Sequence, residues 1–374
     1  MRVLQVLGSS AGGVGRHVGQ VVSALSSAGD DVVVAGPAVV RPLVGTDARF
    51  EAVEITDRPR VGDVAAVRRL AALGRGADVV HAHGLRAGAL AILGVRGLRR
   101  APADGSRRPH VVVTLHNLPV GGRAVRAVSA VLEGVVGRGA DVVLGVSPDL
   151  VTLATARGAR RAELALVPAP RAAAAEDDPA QVRRTRAALG LADDERLLVT
   201  VARLAPQKGL GDVVAAARVL AGTPHRFRWV VAGDGPLRGE LEADVRASGV
   251  PVELLGARDD VGALLAAADA AVSTARWEGQ PLWLQEALAH GAAIVATDVG
   301  GTGAVVGDAA VLVGAEPASG IGGAVAEAVA RLLADDDARA AVRGRARARA
   351  AALPTGADVV EQLTAVYAGG ATGD

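Results

Sequence analysis

The sequence of 374 residues contains no cysteine, which excludes disulfide bonds and metal sites built on thiolates. Aromatic residues are scarce as well, since two phenylalanines, three tryptophans and one tyrosine make up the whole set. A hydrophobic core must therefore be built mainly from alanine, valine and leucine. No apolar run reaches the length of a membrane-spanning helix, and residues 1–8 are too short for the apolar region of a secretory signal. A cytoplasmic protein is the default expectation.

Lysine is nearly missing, because 40 of the 41 basic residues are arginine and Lys208 is the only lysine. A compact ammonium kept at one place indicates a need for a point charge, where a guanidinium would present a planar fork.

Charge is also divided along the chain. Residues 1–175 hold 22 arginines and 13 acidic residues (+9), whereas residues 176–374 hold 19 basic and 27 acidic residues (−8). The division indicates either an anionic partner for the first half or a bias in arginine usage.

Runs rich in valine and leucine alternate with stretches of helix length through both halves of the chain. The runs lie at residues 3–7, 31–35, 78–81, 110–115 and 141–146, and again at 196–201, 228–232, 252–255, 269–273 and 293–297. This alternation is typical of parallel sheets covered by helices on both faces, and the chain length favours two domains. We predict an α/β protein with two Rossmann-like open parallel-sheet domains that face each other across a cleft. The boundaries are expected at 1–172 and 173–354, with a linker around 168–179 and a last helix in 355–374.

The first βα turn is rich in glycine and contains Gly12, Gly13, Val14 and Gly15. A Walker phosphate loop would place Lys and Ser or Thr after Gly13, and a dinucleotide fingerprint would place a third glycine at Val18. Neither pattern is present, which disfavours ATP and NAD. What remains is a glycine turn at a helix N-terminus, a place where a backbone approaches an anion.

Three histidines of the first half follow or end predicted strands. His116 lies at the end of the run 110–115, and His81 and His83 lie at the end of the run 78–81. Open α/β sheets bind ligands at the carboxyl ends of their strands, which makes His116 a site candidate. His81 and His83 are expected in a loop wall, because no acidic residue or further histidine nearby completes a metal site.

The second half presents charged residues at its predicted strand ends. Arg203 and Lys208 stand five residues apart on one βα loop. Glu278 follows the run 269–273, and Glu286 lies inside the helix that starts near Pro281. Because Glu286 is surrounded by apolar residues, it needs a partner, either a structural arginine or a ligand hydroxyl. A cationic pair and two glutamates suit a ligand that carries a diphosphate.

These residues together resemble the retaining nucleotide-sugar glycosyltransferases of family 4, which have the GT-B fold. The resemblance rests on Arg203 with Lys208-Gly209, on Gly233-Asp234-Gly235-Pro236, on Glu278 with Glu286, and on Thr297-Asp298-Val299-Gly300-Gly301. It covers nearly the whole chain and is strongest over residues 200–301. The resemblance implies an N-terminal acceptor-side domain, a C-terminal donor-binding domain and a last helix that crosses back to the first domain, with Val366 and Tyr367 docking there.

The resemblance also implies a role for each matching position. Arg203 and Lys208 would bind the donor diphosphate, Glu278 the transferred sugar and Glu286 the ribose. His116 would contact the sugar or the reaction centre. The remaining donor-binding positions implied are Gly13, Val14, Arg258, Gly279, Gln280, Pro281 and Leu282. Two departures from the family pattern are Thr302, where relatives often have glutamate shortly after the paired glycines, and the bulky Trp283.

The activity implied is transfer of a hexosyl-type sugar from a nucleoside diphosphate sugar, UDP more than GDP, to an acceptor hydroxyl with retention of configuration. No metal and no cofactor are expected. The partners expected are the donor and a sugar, lipid-linked or other small-molecule acceptor, with no nucleic acid. The alternative is a sugar-nucleotide epimerase or isomerase on the same scaffold, which would need further acid and base carboxylates in the first half.

The basic first half raises the prospect of a peripheral contact with an anionic membrane. Its arginines cluster around residues 101–106 and on a predicted helix before residue 76; they are Arg68, Arg69, Arg75, Arg96, Arg99, Arg100, Arg107 and Arg108. Each basic residue near an anionic bilayer contributes about 1 kcal/mol. A protein dispersed by its own charge, or an anionic acceptor such as a sugar phosphate, explains the same pattern.

Overall fold

The computed structural model describes residues 1–9, 13–45, 48–56, 58–96, 108–119, 122–168 and 178–369. The chain divides into two compact units. Unit 1 comprises Met1–Pro168 together with Pro354–Asp374, and unit 2 comprises Ala169–Leu353. Most of the predicted linker, residues 169–177, lies outside the described residues.

Unit 1 contains a parallel sheet of seven strands. The strands are β1 (Arg2–Leu7), β2 (Asp31–Gly36), β3 (Arg49–Ala52), β4 (Val79–His83), β5 (His110–Leu115), β6 (Val142–Gly145) and β7 (Ala162–Leu164). The helices between them are α1 (Gly13–Ser27), α2 (Asp63–Gly74), α3 (Leu85–Arg96), α4 (Arg123–Gly139) and α5 (Pro148–Ala156), with a 3-10 helix at Ala38–Leu43. The strand order is β3-β2-β1-β4-β5-β6-β7, so the winding reverses between β1 and β4. Ligands bind at the carboxyl ends of the strands at such a reversal.

The fourth strand corrects one expectation about the histidines. The strand continues to His83, which pairs with Leu7 of β1 and Thr114 of β5. His81 and His83 therefore lie within the sheet, and each is 1% exposed. The prediction that they form a loop wall is wrong, because the parallel pairing with both neighbours extends β4 two residues beyond the predicted run 78–81.

Unit 2 contains a parallel sheet of six strands. The strands are β8 (Arg196–Val201), β9 (Phe227–Ala232), β10 (Val252–Gly256), β11 (Ala270–Ser273), β12 (Ile294–Thr297) and β13 (Ala310–Val313). The helices are α6 (Pro179–Ala188), α7 (Gly211–Leu220), α8 (Arg238–Ser248), α9 (Val261–Ala267), α10 (Leu282–Ala289), α11 (Thr302–Val306), α12 (Gly320–Ala334) and α13 (Asp336–Ala351), with a 3-10 helix at Pro206–Lys208. The order β10-β9-β8-β11-β12-β13 reverses between β8 and β11.

Small and branched apolar residues fill the core of unit 2, with Trp229 as its largest fully buried side chain. The indole Nε1 of Trp229 donates to Thr200 Oγ1 at 3.0 Å, so this polar atom is satisfied inside the core. Pro281 precedes α10, and Gly291 follows it with a φ of +61°. Glycine adopts this left-handed conformation without the steric cost of a Cβ, which ends α10 where the sequence predicts.

The C-terminal helix α14 (Gly356–Ala368) belongs to unit 1. Thr355 caps its N-terminus in a capping box with Asp358. Val366 and Tyr367 are each 1% exposed, and Gln362 bonds the backbone of Leu164 and Leu166. The predicted docking of the last helix on the first unit is confirmed.

Candidate functional site

The loops that follow β8 and β11 lie side by side at the reversal point of unit 2. Arg276 N donates to Gln207 O at 2.8 Å, and Thr274 Oγ1 donates to Lys208 O at 3.2 Å. Gly209 has a φ of +59°, and a Cβ there would lie 2.2 Å from Thr274 O. Glycine is therefore required for the two loops to approach this closely.

Lys208 and Glu278 form an ion pair across these two loops. Lys208 Nζ lies 2.5 Å from Glu278 Oε1, and the two side chains are 17% and 7% exposed. A largely buried carboxylate is tolerated because this charged hydrogen bond compensates its desolvation. An ammonium has three N–H groups, so two of them remain for a further acceptor.

The glycine turn after β12 contacts the backbone of Glu278. Gly301 N donates to Glu278 O at 2.9 Å. Gly300 has a φ of +56°, and a Cβ there would lie 1.9 Å from Glu278 O. The paired glycines thus set the position of the Glu278 backbone.

The guanidinium of Arg203 is exposed and has no hydrogen-bond or ion-pair partner among the described residues. Its loop is fixed by the neighbouring glycine turn, because Leu204 N donates to Asp234 O at 3.0 Å. A Cβ at Gly233 would lie 1.9 Å from Ala202 O, and one at Gly235 would lie 2.5 Å from Leu204 O. Within unit 2 these glycines serve contact between loops, a role that the sequence pattern alone does not show.

Glu286 lies in α10 and is half-buried, and its carboxylate has no hydrogen-bond partner among the described residues. Burial raises the pKa of its carboxyl, and the nearby His290 lowers that pKa to a smaller extent. Pro281 at the start of α10 provides no side-chain cap for the first N–H groups of the helix. A half-buried carboxylate without a partner is suited to accept hydrogen bonds from ligand hydroxyls.

Arg258 lies apart from this group, on the loop after β10. Its guanidinium bonds both carboxylate oxygens of Asp260, at 2.8 and 2.6 Å. Strand β10 is separated from β8 by β9, which puts Arg258 at the edge of the sheet. Gly279, Gln280 and Leu282 lie in and just after the Glu278 loop, and Pro281 is buried.

In unit 1 a cavity of about 640 Å³ lies at the reversal between β1 and β4. Its apolar lining includes Ile55, Pro59, Leu85, Leu118, Pro119, Val125, Val128 and Leu132, and its polar lining includes Ser9, Thr56, Arg58, His83, Arg86, His116, Asn117 and Ser129. Arg86 donates to both carboxylate oxygens of Asp63, at 2.9 and 3.0 Å, so its charge is balanced. The guanidinium of Arg58 is exposed and has no partner among the described residues.

A set of polar side chains, here named the imidazole network, adjoins this cavity and is buried except for the partly exposed His116. It consists of Gln5, His81, His83, Thr114, His116 and Tyr367. His83 Nδ1 lies 3.3 Å from His116 Nε2, and His83 Nε2 lies 2.8 Å from Gln5 Oε1. Burial lowers the pKa of His81 and His116 to about 3 and that of His83 well below its usual value. The imidazoles are therefore neutral at neutral pH.

Gln5 and Tyr367 in this network, and His17 beside His116, were not predicted from the sequence as parts of the site. The ring centroid of His17 lies 6.1 Å from that of His116, and His17 Nδ1 is buried without a partner among the described residues. The sequence did contain a signal for Gln5, because a glutamine within the apolar run of β1 is a buried amide that needs polar partners. Tyr367 gave no such sign, since it is 362 residues from Gln5.

The glycine turn of unit 1 is described only from Gly13, where α1 begins, and Val14 is half-buried. Gly15 and Gly19 have a packing role. A Cβ at Gly15 would lie 2.7 Å from Leu43 Cδ1, and one at Gly19 would lie 2.4 Å from Leu43 O. These two glycines let α1 pack closely on the 3-10 helix.

Two features are absent from the described parts of the chain. No group of three or more histidine, aspartate or glutamate residues there is placed to hold a metal ion. No helix in those parts is long and apolar enough to cross a membrane. Arg96 of the basic cluster binds Asp141 at 2.5 Å, while Arg99, Arg100 and Arg107 lie outside the described residues.

Similar proteins are found by sequence over parts of the chain. Residues 12–170 match the family described as "Glycosyl transferase 4-like domain", and residues 195–335 match "Glycosyl transferases group 1". The alpha-D-kanosaminyltransferase of Streptomyces kanamyceticus is 27% identical over 195 residues, 51% of this chain and 50% of that protein. EpsF of Bacillus subtilis (strain 168), named as a glycosyltransferase, is 34% identical over 115 residues, 30% of each chain. The matches thus span half or less of the length of these relatives.

Solved structures show the same fold over the full length. HepE of Anabaena in complex with UDP has a TM-score of 0.80, covering 99% of this chain and 100% of HepE at 19% identity. HepE has also been solved with UDP-glucose. The predicted fold, two Rossmann-like parallel-sheet units of the GT-B type, is confirmed. Residues 12–170 of unit 1 and residues 195–335 of unit 2 thus each match a glycosyltransferase family model, and the chain has the GT-B fold.

Proposed function

We propose that the protein transfers a hexosyl-type sugar from a UDP-sugar to an acceptor hydroxyl, with retention of configuration and without a metal ion. The observation that carries the proposal is the arrangement of Arg203, Lys208, Glu278 and Glu286 around the reversal point of unit 2. The complexes of HepE with UDP and UDP-glucose support UDP as the nucleotide. The matched families and named relatives are glycosyltransferases, which favours transfer over the epimerase alternative.

Arg203 and Lys208 are assigned to the diphosphate. When the bond between the anomeric carbon and the phosphate oxygen breaks, negative charge grows on the leaving diphosphate. Preorganised cations at that place supply the largest single contribution to such catalysis. Arg203 has no competing partner among the described residues, and Lys208 keeps two N–H groups beyond its bond to Glu278.

The two glutamates are assigned to hydroxyl groups of the donor. Glu286 would accept from the ribose, because its half-buried carboxylate has no partner among the described residues. Glu278 would accept from the transferred sugar, with the backbone of Gly279 to Leu282 beside it. The hydrogen bond from Lys208 holds this carboxylate in place. Because Lys208 is itself assigned to the diphosphate, the Lys208–Glu278 pair connects the sugar contact to the diphosphate contact.

Arg258, Gly13 and Val14 are assigned to the base and the phosphates of the donor. Arg258 would lie along the base, which requires its guanidinium to share or leave Asp260. Gly13 and Val14, at the start of α1, would approach the phosphates through the backbone.

The acceptor is assigned to the unit 1 cavity, with His116 at the acceptor hydroxyl. The lining combines an apolar wall with the unpartnered Arg58, which suits a sugar or lipid-linked acceptor that has an apolar portion. In the transfer the acceptor oxygen bonds to the anomeric carbon on the face that the diphosphate leaves. The acceptor proton then passes to the departing phosphate oxygen, which balances the charge. We further propose a peripheral contact of unit 1 with an anionic membrane.

The proposal is tested by incubating the full chain with a panel of UDP- and GDP-sugars, with and without EDTA. We expect slow hydrolysis of one UDP-sugar, with release of UDP, that EDTA does not change. Addition of an acceptor should then give a product whose anomeric configuration, read by NMR, matches the donor. Conversion of the sugar nucleotide into an isomer would establish the epimerase instead. Loss of activity in EDTA, restored by magnesium or manganese, would refute metal independence.

A further inference from the structure

We propose that Gln5 and His83 are positioning residues that hold His116 in the tautomer with its proton on Nε2, so that His116 offers an unprotonated Nδ1 at the unit 1 cavity. The tautomer follows from the imidazole network alone. Only its use in catalysis rests on the proposed function, which assigns His116 to the acceptor hydroxyl.

The direction of the hydrogen bonds is set by Gln5, because an amide nitrogen only donates and an amide oxygen only accepts. Gln5 Nε2 donates to Tyr367 Oη at 3.1 Å, so Gln5 Oε1 faces His83. Tyr367 Oη thus accepts from Gln5, and it also lies 2.7 Å from His81 Nδ1. His81 Nε2 lies 2.7 Å from Thr114 Oγ1, so both ring nitrogens of His81 have a hydrogen-bond partner.

The other branch of the network reaches His116. Gln5 Oε1 accepts from His83 Nε2 at 2.8 Å, so the single proton of neutral His83 is on Nε2. His83 Nδ1 is consequently an acceptor. His116 Nε2 lies 3.3 Å from it and must carry the proton for this hydrogen bond to exist. A neutral His116 therefore has no proton on Nδ1.

Each step requires neutral imidazoles, and the burial of the network supplies that condition. His81 and His83 are each 1% exposed, and burial lowers the pKa of His81, His83 and His116. Among the described residues, none forms a hydrogen bond with His116 Nδ1, while the ring lines the cavity. The Nδ1 lone pair is thus available to a ligand hydroxyl.

A lone pair of such low basicity orients a hydroxyl without removing its proton. The hydroxyl of the acceptor would donate to Nδ1, which directs one oxygen lone pair toward the anomeric carbon. Because the pKa of His116 is lowered to about 3, the proton passes instead to the departing phosphate oxygen. His116 is then a hydrogen-bond acceptor and not the general base of the transfer.

The tautomer is read directly by long-range ¹H–¹⁵N correlation NMR of the full chain labelled with ¹⁵N-histidine. We expect a neutral His116 protonated on Nε2 near pH 7.5. A proton on Nδ1, or an imidazolium, overturns the proposal. This measurement needs no substrate, so failure of the proposed activity leaves its outcome intact.

Three variants test the positioning roles. Gln5→Met removes the acceptor for His83 at similar volume, and we expect both tautomers of His116 to become populated. His83→Leu should have the same effect. His83→Asn keeps an acceptor oxygen near the position of Nδ1 and should preserve the wild-type tautomer. An unchanged His116 tautomer in folded Gln5→Met or His83→Leu would overturn the positioning role. His290, in unit 2, serves as the internal reference in each spectrum.

Activity gives the second measurement. Gln5→Met should lower kcat about tenfold, the factor for one hydrogen bond of about 1.4 kcal/mol, with the KM for the donor unchanged. His83→Asn should recover most of the kcat that His83→Leu loses. Equal losses in His83→Asn and His83→Leu would indicate a purely structural role.

Discussion

The ammonium of Lys208 and the carboxylate of Glu278 join residues that lie 70 positions apart in the sequence, at an Nζ–Oε1 distance of 2.5 Å. Their loops meet because β8 and β11 are neighbours at the reversal point of the sheet. Within this pair the charges compensate each other. Arg203 is therefore the cation of the site whose charge is uncompensated among the described residues.

The two cations should respond differently to removal. Arg203→Ala should lower turnover about 100-fold, the scale for one preorganised transition-state contact, and leave the unfolding temperature unchanged because the side chain is exposed. Lys208→Ala should lower turnover by at least as much. It should also destabilise unit 2 by about 3–5 kcal/mol, since it leaves the carboxylate of Glu278 buried without its partner. Steady-state kinetics and thermal unfolding of both variants check this.

Arg218→Ala, at an exposed site on α7 of the same unit, is the matched control and should change neither quantity. The double variant Lys208→Ala with Glu278→Gln should regain stability, because no buried charge remains, and stay inactive. Turnover within threefold of wild type in both Arg203→Ala and Lys208→Ala would refute the phosphate assignment.

The two glutamates should separate nucleotide binding from sugar transfer. Glu286→Ala should weaken binding of UDP, whereas Glu278→Ala should bind UDP and lose transfer. Because burial raises the pKa of Glu286, its carboxylate protonates at a higher pH than an exposed glutamate. On acidification, the affinity for a UDP-sugar should therefore begin to fall at a higher pH than it would if Glu286 had an ordinary glutamate pKa. Glu286→Gln should abolish this pH dependence.

Calorimetry with UDP on both variants, and with an intact UDP-sugar across pH, measures these effects. The sugar nucleotide is the better ligand for the pH series, since a terminal phosphate titrates with a pKa of about 6 and would mask Glu286. Glu240→Gln, exposed on α8, is the control. Identical losses of UDP binding in Glu278→Ala and Glu286→Ala would refute the assignment of separate roles to the two glutamates.

The paired glycines after β12 should be sensitive to a single methyl group. Gly300→Ala places a Cβ 1.9 Å from Glu278 O and strains a φ of +56°, so the Glu278 loop must move. We expect sugar transfer to fall at least about tenfold, a loss of about 1.4 kcal/mol. Gly314→Ala, where a Cβ meets nothing within 4 Å, should be neutral in the same assay. A fully active Gly300→Ala would show that the Glu278 backbone tolerates displacement.

The proposed membrane contact should involve an apolar and basic surface of unit 1. On α4 the valines at 125, 128 and 131 are 47%, 44% and 67% exposed, and Arg123 and Arg126 flank them. Each basic residue near an anionic bilayer contributes about 1 kcal/mol, screened by salt. We expect sedimentation with vesicles of phosphatidylserine and phosphatidylcholine at low salt and release at high salt.

Changing Arg99, Arg100, Arg107 and Arg108 to Ser should weaken this binding, as should Val125→Ser with Val128→Ser. Arg218→Ser in unit 2 should not alter it. Sedimentation that is absent at low salt, or that is unaffected by these changes in unit 1, would exclude the membrane contact.

The strands were predictable where apolar runs are buried on both faces. The bounds of β5 (His110–Leu115) and β8 (Arg196–Val201) agree with the sequence prediction. The short edge strands β3 (Arg49–Ala52) and β7 (Ala162–Leu164) were missed, because their partly exposed, mixed sequences lack an apolar run. Pairing with a neighbouring strand defines them, and such pairing is not a local property of the sequence.

The site was predictable as a set of positions and not as a set of contacts. Because the strands are parallel, Arg203, Lys208 and Glu278 all lie at the carboxyl ends of the strands, and this follows from the strand pattern. The bond between Lys208 and Glu278 depends on β8 and β11 being neighbours, although β9 and β10 separate them in sequence. For the same reason the contact between Gln5 and Tyr367 emerges only once α14 has packed on β5 and α1.

The buried histidines should make unit 1 sensitive to acid. Burial lowers the pKa of His17 to about 4, of His81 to about 3, and of His83 well below its usual value. In the unfolded chain these groups titrate near pH 6.5, so below that pH the unfolded state binds more protons. The stabilisation is fully present above pH 6.5 and is lost as the pH falls toward the folded-state pKa values.

The size of the effect follows from His81 and His83, which are each 1% exposed. Below the unfolded-state pKa, each of these histidines lowers the free energy of unfolding by about 1.4 kcal/mol per pH unit. Lowering the pH from about 7.5 to about 5.5 should therefore reduce the free energy of unfolding by about 3 kcal/mol. For a unit of this size that corresponds to a fall of roughly 6–12 °C in the unfolding temperature. Circular dichroism at the two pH values measures it.

Tryptophan fluorescence separates the units, because Trp229, Trp277 and Trp283 all lie in unit 2. The acid-induced fall should be larger by circular dichroism, which reports both units, than by tryptophan fluorescence. His83→Asn removes one titrating group and should reduce the fall, while His225→Gln in unit 2 should leave it unchanged. If the unfolding temperature of unit 1 is the same at both pH values, the histidines titrate alike in the folded and unfolded states, and the lowered folded-state pKa values are refuted.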